Sequence, residues 1–244
     1  MDLTRKTDKL MAFSGIAQRM QRVLNDEYLA GLWKQHLPYH LLWSKRKDNP
    51  IAPEPRDYRA PSWSWASVDG KVTLYPITDT QTEEISVEIL EAKTFSIVGG
   101  EMGQLTHGHI NLRGTLRPAH MAQFRPDYST RLSLEPDGKP TTSINVWPDN
   151  LDNIFPATVK RLPVFCLPVH VWWNSDGDRC TEGLILSQTE GRHEAKFKRV
   201  GRFKISLADS EVLESFYKIP TEWLVDPSQS DICNGKNQHV LTIV

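Results

Sequence analysis

The chain is short of cysteine, of net charge and of long apolar runs, and each shortage removes a class of protein. Its three cysteines, Cys166, Cys180 and Cys233, are odd in number, widely spaced and include no Cys-x-x-Cys pair. That pattern fits free thiols in a reducing compartment and argues against a disulfide framework or a structural zinc site. Twenty-nine basic residues against thirty acidic ones leave no electrostatic footprint for nucleic acid or an anionic membrane. No apolar stretch approaches the roughly 20 residues of a membrane-spanning helix. The opening residues are polar and do not form a secretory signal, so the expected location is cytoplasmic. Nucleotide and hydrolase signatures are missing as well. Gly99-Gly100-Glu101-Met102-Gly103 lacks the Lys-Ser/Thr of a P-loop, and no Gly-x-Ser-x-Gly elbow occurs. No cofactor is expected.

What the chain does have is tryptophan, eight in 244 residues. Two of them, Trp63 and Trp65, lie in Tyr58-Arg-Ala-Pro-Ser-Trp-Ser-Trp-Ala-Ser-Val-Asp-Gly70. Period two predicts a strand over 62–67 with both indoles on one face and Ser62, Ser64 and Ala66 on the other. Such a strand either anchors a core or walls a ligand cavity.

The pattern predicts one domain over 1–244, in three stretches. Residues 1–43 read as helical. Asp8 is placed to cap a helix over 9–24, whose Leu10, Phe13, Ala17, Met20 and Leu24 form one apolar stripe. A short helix over 27–34, capped by Asp26, and another starting at Pro38 would follow. Residues 44–59, with three prolines and dense charge, read as a surface loop. From 60 to 244 the pattern is β-rich, with strands over 62–67, 71–77, 84–98, 109–116, 163–173, 183–187, 195–206 and 239–244. A long 117–160 insertion interrupts them, and 207–225 begins with a helical pattern. The fold class is therefore α+β, mainly β: N-terminal helices packed on an antiparallel β-barrel or folded-over sheet. Strand 163–173 is apolar on both faces and is expected at the centre of the sheet.

Several residues could carry chemistry. His170 lies among apolar neighbours, as a structural histidine or as a cavity acid/base group titrating near neutrality. Cys166 and Trp172 share its strand face by alternation, with the thiol too far along the strand for a hydrogen-bonded nucleophile pair. Asp69 is either a turn residue in Asp-Gly or a carboxylate beside the indoles with a raised pKa. Arg59 would pair with Asp57 or Asp69, or hold an anionic ligand. His107 and His109 form a His-x-His pair, but no third ligand is identifiable and no metal is assigned. The expected site thus has His170 and Asp69 as catalytic candidates and Trp63, Trp65, Trp172, Arg59 and Cys166 around the ligand.

The 58–70 stretch, with Asp26-Glu-Tyr-Leu-Ala-Gly-Leu-Trp33 and Leu41-Leu-Trp43, resembles the segment that follows the core of fungal heterokaryon-incompatibility (HET) domain proteins. The resemblance continues through Ile110–Pro118, Val164–Pro168, Phe197–Phe203 and Val240–Val244. The HET core motifs, of the type Ser-Tyr-Cys-Trp-Gly, would precede Met1 and are absent. The resemblance implies a standalone HET-associated β-domain acting as a small-molecule-binding or interaction module. The alternative expectation is a cofactor-free cyclase, isomerase or pericyclase of fungal secondary metabolism, folding a hydrophobic ligand in an aromatic-lined barrel cavity with acid/base assistance.

Overall fold

A computed structural model of the chain describes residues 8–46, 58–75, 84–96, 104–124, 129–133, 144–149, 161–189, 195–206, 230–233 and 236–244. Two helices are present among them, α1 (Lys9–Leu24) and α2 (Leu37–His40). The first short strands are β1 (Tyr28–Leu29), β2 (Leu32–Trp33), β3 (Ser44–Lys45), β4 (Val72–Thr73) and β5 (Glu84–Ile85). The body consists of β6 (Glu88–Ser96), β7 (Leu105–Gly114), β8 (Arg117–Phe124), β9 (Ser129–Ser133), β10 (Ile144–Pro148), β11 (Arg161–Trp173), β12 (Arg179–Gln188), β13 (Lys196–Ser206), β14 (Ser230–Cys233) and β15 (Lys236–Ile243).

The main sheet runs β6-β7-β15-β13-β12-β11-β8-β9, with β10 on β13, β14 on β15 and β5 on β11. It is antiparallel except between β13 and β15, which pair in parallel at Lys196–Thr242 and Phe197–Ile243. The mainly β class holds, but the barrel does not. Among the described residues no ladder joins β9 to β10 or to β6, so the sheet folds over without closing. β11 lies inside the sheet, as its doubly apolar pattern requires: Leu167 and Val169 enter one core cluster, Val164 and Cys166 the other.

Two β-bulges move strands between these cores. In β13, Leu186 faces Arg199 and Ile185 faces Gly201, which leaves Val200 as the extra residue. Phe197 then packs in the first core and Phe203 in the second, although unbroken alternation would put them on one face. In β11 the register shifts between Pro168 and His170. This breaks the alternation expected to place Cys166 and His170 together: Cys166 packs in the second core, and His170 meets Tyr75, which packs against the first.

The first core is roofed by the N-terminal segment. Leu10, Leu29, Leu32, Leu37, Leu41, Leu42 and Trp63 all pack onto it. Helix α1 has the predicted bounds, but it docks by one edge of its apolar stripe. Leu10 and Ala17 are buried, while Phe13, Met20 and Leu24 stay 48%, 39% and 43% exposed. The predicted helix over 27–34 is instead the β1–β2 hairpin. Ala30 (φ 49°) and Gly31 (φ 96°) occupy the two left-handed positions that a tight primed turn demands. Asp26 caps no helix there; its carboxylate accepts the backbone N–H groups of Glu27 and Gln35. Pro38 does lie in the first turn of α2. The expected irregular 117–160 insertion contains β8, β9 and β10, while the helical pattern expected over 207–225 lies outside the described residues.

Candidate functional site

The Trp-Ser-Trp stretch is not a strand. Residues 61–64 turn, and Trp65–Ser67 form one turn of 3₁₀ helix. The serines decide this, because a hydroxyl that bonds nearby backbone competes with a strand ladder. Ser64 Oγ accepts the Ala66 N–H at 3.0 Å and donates to Ala30 O at 2.6 Å. Ser67 Oγ donates to Ser64 O at 2.7 Å. The two indoles therefore diverge. Trp63 is fully buried, and its carbonyl accepts Trp43 Nε1–H at 2.9 Å. Trp65 lies over the β1–β2 turn, donating from Nε1 to Gly31 O at 3.0 Å and meeting Phe13 edge-on at 5.7 Å. Burying Trp43 and Trp63 contributes about 4–6 kcal/mol each in transfer free energy.

This turn plugs a split in the sheet. One end of β13 pairs with β15, and the other, from Gly201 to Ile205, pairs with β10. Between them no strand among the described residues pairs with this edge of β13, and Ser62 bonds Arg199 there. Its Oγ accepts the Arg199 N–H at 2.9 Å, and both its N–H and its hydroxyl donate to Val244 O.

Beneath the plug lies a buried ion pair. Arg199 NH2 meets Asp149 Oδ1 at 3.0 Å and donates to Trp43 O at 2.6 Å, while NH1 donates to Leu41 O at 3.1 Å. The guanidinium carbon sits 3.5 Å over the Trp43 ring. One arginine of the sheet thus ties down two carbonyls and an indole of the N-terminal segment. Burial dominates its electrostatics. Asp149 is pushed up from 3.8 to about 6 by desolvation, against the pull of Arg199, Lys45 and Arg202. Desolvation lowers Arg199 to about 10, so it remains charged at neutral pH.

Above the pair opens a cleft of about 760 Å³. Tyr58, Arg59, Ala60, Ser62, Ser67 and Val68 form one wall, and His107, Gly108, His109 and Asn111 of β7 form another. Lys196, Lys198, Arg199 and Val200 of β13, with Asp149, Leu162, Ser187, Gln188, Thr242 and Val244, complete the lining. The charged side chains of its lining are Arg59, Lys196, Lys198, Arg199 and Asp149. Arg59 is already engaged by Asp69 Oδ1 at 2.8 Å and Ser67 O at 3.2 Å, and Asp69 also meets Lys9 Nζ at 3.9 Å. Asp69 is therefore a structural ion-pair residue behind the cleft wall.

The expected site residues are thus dispersed. Arg59 lines the cleft, and Asp69 stands behind it. Trp63, Cys166 and His170 are respectively 0%, 0% and 1% exposed, so no water-sized space adjoins them. Burial pushes the Cys166 thiol up to about 12, far from a thiolate nucleophile. His170 belongs to an aromatic cluster: Tyr75 OH lies 3.1 Å from its Nδ1, Tyr39 meets it edge-on at 5.3 Å, and Trp172 stacks on it at 4.8 Å. Trp172 also lies under Lys204 Nζ at 4.9 Å. The His-x-His pair is divided between partners. His107 stacks on Phe95 at 4.1 Å, and His109 Nε2 lies 3.1 Å from Glu91 Oε2. Among the described residues, no group of three or more His, Cys, Asp or Glu side chains could hold a metal ion. No described helix is long and apolar enough to cross a membrane.

Ser62 and Lys196 carry no sequence signal as site residues, and Asp149 and Lys198 are not distinguished there from surface charges. Lys198 and Arg199 are adjacent in the sequence beside Val200-Gly201, and two neighbouring charges alone do not distinguish a cleft from a solvated edge. No family model matches the chain, and no curated protein or solved structure matches it.

Proposed function

We propose that this protein is a small-molecule-binding module whose ligand sits in the cleft between the 58–68 segment and strands β7, β13 and β15. One observation carries the reading. A concavity of about 760 Å³, within the size range of drug-sized ligand sites, is lined by side chains from several separate segments over the Arg199–Asp149 pair. The pair and the Ser62 plug hold those walls in fixed relation, which lowers the ordering cost of binding. The reading agrees with the resemblance of 58–70 and its flanks to the downstream region of HET proteins, for which a β-rich binding or interaction module is the expectation. A cyclase or isomerase working between Trp63, Trp172 and His170 needs an aromatic-walled cavity, and Trp63 and His170 have no accessible face to offer one.

The test is native mass spectrometry of the protein purified from its own host, together with a variant that fills the cleft. Gln188→Trp places an indole at the half-buried end of β12. The wild type is expected to retain a small molecule that Q188W, with unchanged circular dichroism, does not. An adduct retained equally by Q188W, or no adduct on either protein, would count against the cleft as the binding site.

A further inference from the structure

Helix α1 presents a second surface, apart from the cleft, and we infer that this surface rests on an anionic lipid layer. Half of the large apolar side chains left exposed among the described residues belong to this one helix: Met11, Phe13, Ile16, Met20, Val23 and Leu24. Leu10 and Ala17 are buried and Ser14 and Gln21 half-buried, so the docked side runs through positions 10, 14, 17 and 21. Phe13, Ile16, Met20 and Val23 recur at spacings of three and four and, with Leu24, form a neighbouring stripe that stays exposed. Ile16 and Val23 are 65% and 72% exposed. The stripe leaves roughly 500 Å² of apolar surface open, at the upper end of what a monomer shows.

The charge of the helix identifies what the stripe meets. Lys9, Arg19 and Arg22 are its charged residues, and it contains no Asp or Glu. Lys9 is engaged by Val68 O and Asp69. Arg19 and Arg22 are exposed. Arg19, three residues after Ile16 and four before Val23, borders the stripe on the side away from the body, and Arg22 follows one turn on. The near-zero charge of the whole chain hides this local excess. A second copy of the helix has no carboxylate to set against the arginines, and bringing two copies together adds only like charge. An anionic lipid layer supplies both complements. Its hydrocarbon receives the stripe, and its head groups meet guanidinium groups carried on apolar stems. The helix lies along such a layer and does not cross it, since its 16 residues span about 24 Å against the roughly 30 Å of a hydrocarbon core.

The experiment is co-sedimentation of the full chain with two kinds of vesicle at low salt: pure phosphatidylcholine, and phosphatidylcholine with about 30% phosphatidylserine. Partition onto the anionic vesicles is expected to exceed that onto the neutral ones about tenfold and to fall as salt rises. Arg19→Gln/Arg22→Gln should abolish the tenfold preference and leave partition onto phosphatidylcholine unchanged. Ile16→Gln/Val23→Gln should lower partition onto both vesicles about tenfold. Both double variants alter exposed side chains and should keep the circular dichroism and thermal midpoint of the wild type. A nitroxide-labelled lipid should broaden the amides of 13–24 and leave those of Ser62 and Lys198 sharp. Absence of partition onto anionic vesicles, or undiminished partition by both variants, would overturn the inference. Poly-L-glutamate bound as tightly as the anionic vesicles would point the arginines at an acidic protein and overturn the lipid layer. A dimer in sedimentation velocity that I16Q/V23Q dissolves would assign the stripe to a second copy and overturn it likewise.

Discussion

Replacing Arg199 by methionine is the severest single test of how the N-terminal segment is held on the sheet. The substitution keeps an unbranched apolar stem and removes four interactions: the 3.0 Å pair with Asp149, the donations to Leu41 O and Trp43 O, and the stacking 3.5 Å over Trp43. Breaking a buried ion pair from one side typically costs about 3–5 kcal/mol, because the other charge stays buried without compensation. Two carbonyls that lose their donor add about 1–3 kcal/mol each where water cannot replace it. Protonation of Asp149, already raised to about 6, limits the first contribution, so a total of about 4 kcal/mol is expected at pH 7. At a urea slope of about 2.5 kcal/mol/M this lowers the unfolding midpoint by about 1.5 M. The control is Arg199→Met combined with Asp149→Leu. It removes the orphaned charge but not the orphaned carbonyls, and should recover about half of the loss. A loss under about 1 kcal/mol for R199M, or no recovery in the double variant, would refute the argument that this pair fastens the segment.

Other substitutions and conditions test separate parts of the account. A methyl group at Gly183 would lie 2.1 Å from Leu167 O and 2.6 Å from the Phe203 ring, so Gly183→Ala should cost about 3 kcal/mol of stability or more, read as a sharply lower thermal midpoint. Gly177→Ala meets no atom within 4 Å and suffers only from its φ of +82°, at about 1 kcal/mol; similar midpoints for the two variants would contradict the packing. Trp65→Phe keeps most of the aromatic surface but loses the Nε1–H bond to Gly31 O, for an expected cost of about 1 kcal/mol by urea unfolding. The raised Asp149 pKa means the folded chain binds this proton more readily than the unfolded one. The associated stability is present in full below pH 3.8 and lost as pH rises through about 6, a change of about 3 kcal/mol. The difference between wild type and Asp149→Asn, measured by urea unfolding from pH 4 to 7, should track that loss; a difference independent of pH would contradict it.

Much of the fold was legible where one physical signal dominated. Apolar residues at spacings of three and four gave α1 its bounds, although Asp8 at the N-cap position makes no side-chain capping bond, and the doubly apolar 163–173 run placed β11 inside the sheet. Errors arose where two signals competed. Trp63 and Trp65 have strand periodicity, but Ser64 and Ser67 bond the local backbone and close a 3₁₀ turn instead. Leu29 and Leu32 have helical spacing, but Gly31 allows the hairpin turn that separates them. Prolines at 118 and 148 hid β8 and β10, each of which pairs with a neighbouring strand in register. The bulges at Val169 and Val200 leave no mark in hydropathy, yet they decide which core Cys166, His170 and Phe203 meet. The cleft was the least legible part. Arg59 was recognised from its position beside the tryptophans. Ser62, Asp149 and Lys198 become neighbours only because β13 splits between β15 and β10, a tertiary fact that no local pattern contains.

The central claim is that ligand enters the cleft beside β13 and not the aromatic core, and amide chemical-shift mapping on titration with the small molecule retained by the protein from its own host addresses it most directly. The account predicts shifts concentrated at Ser62, Asn111, Lys198 and Thr242, with the Trp63, Cys166 and His170 amides unmoved. Shifts centred on Trp63, His170 and Trp172, with the cleft amides silent, would contradict it.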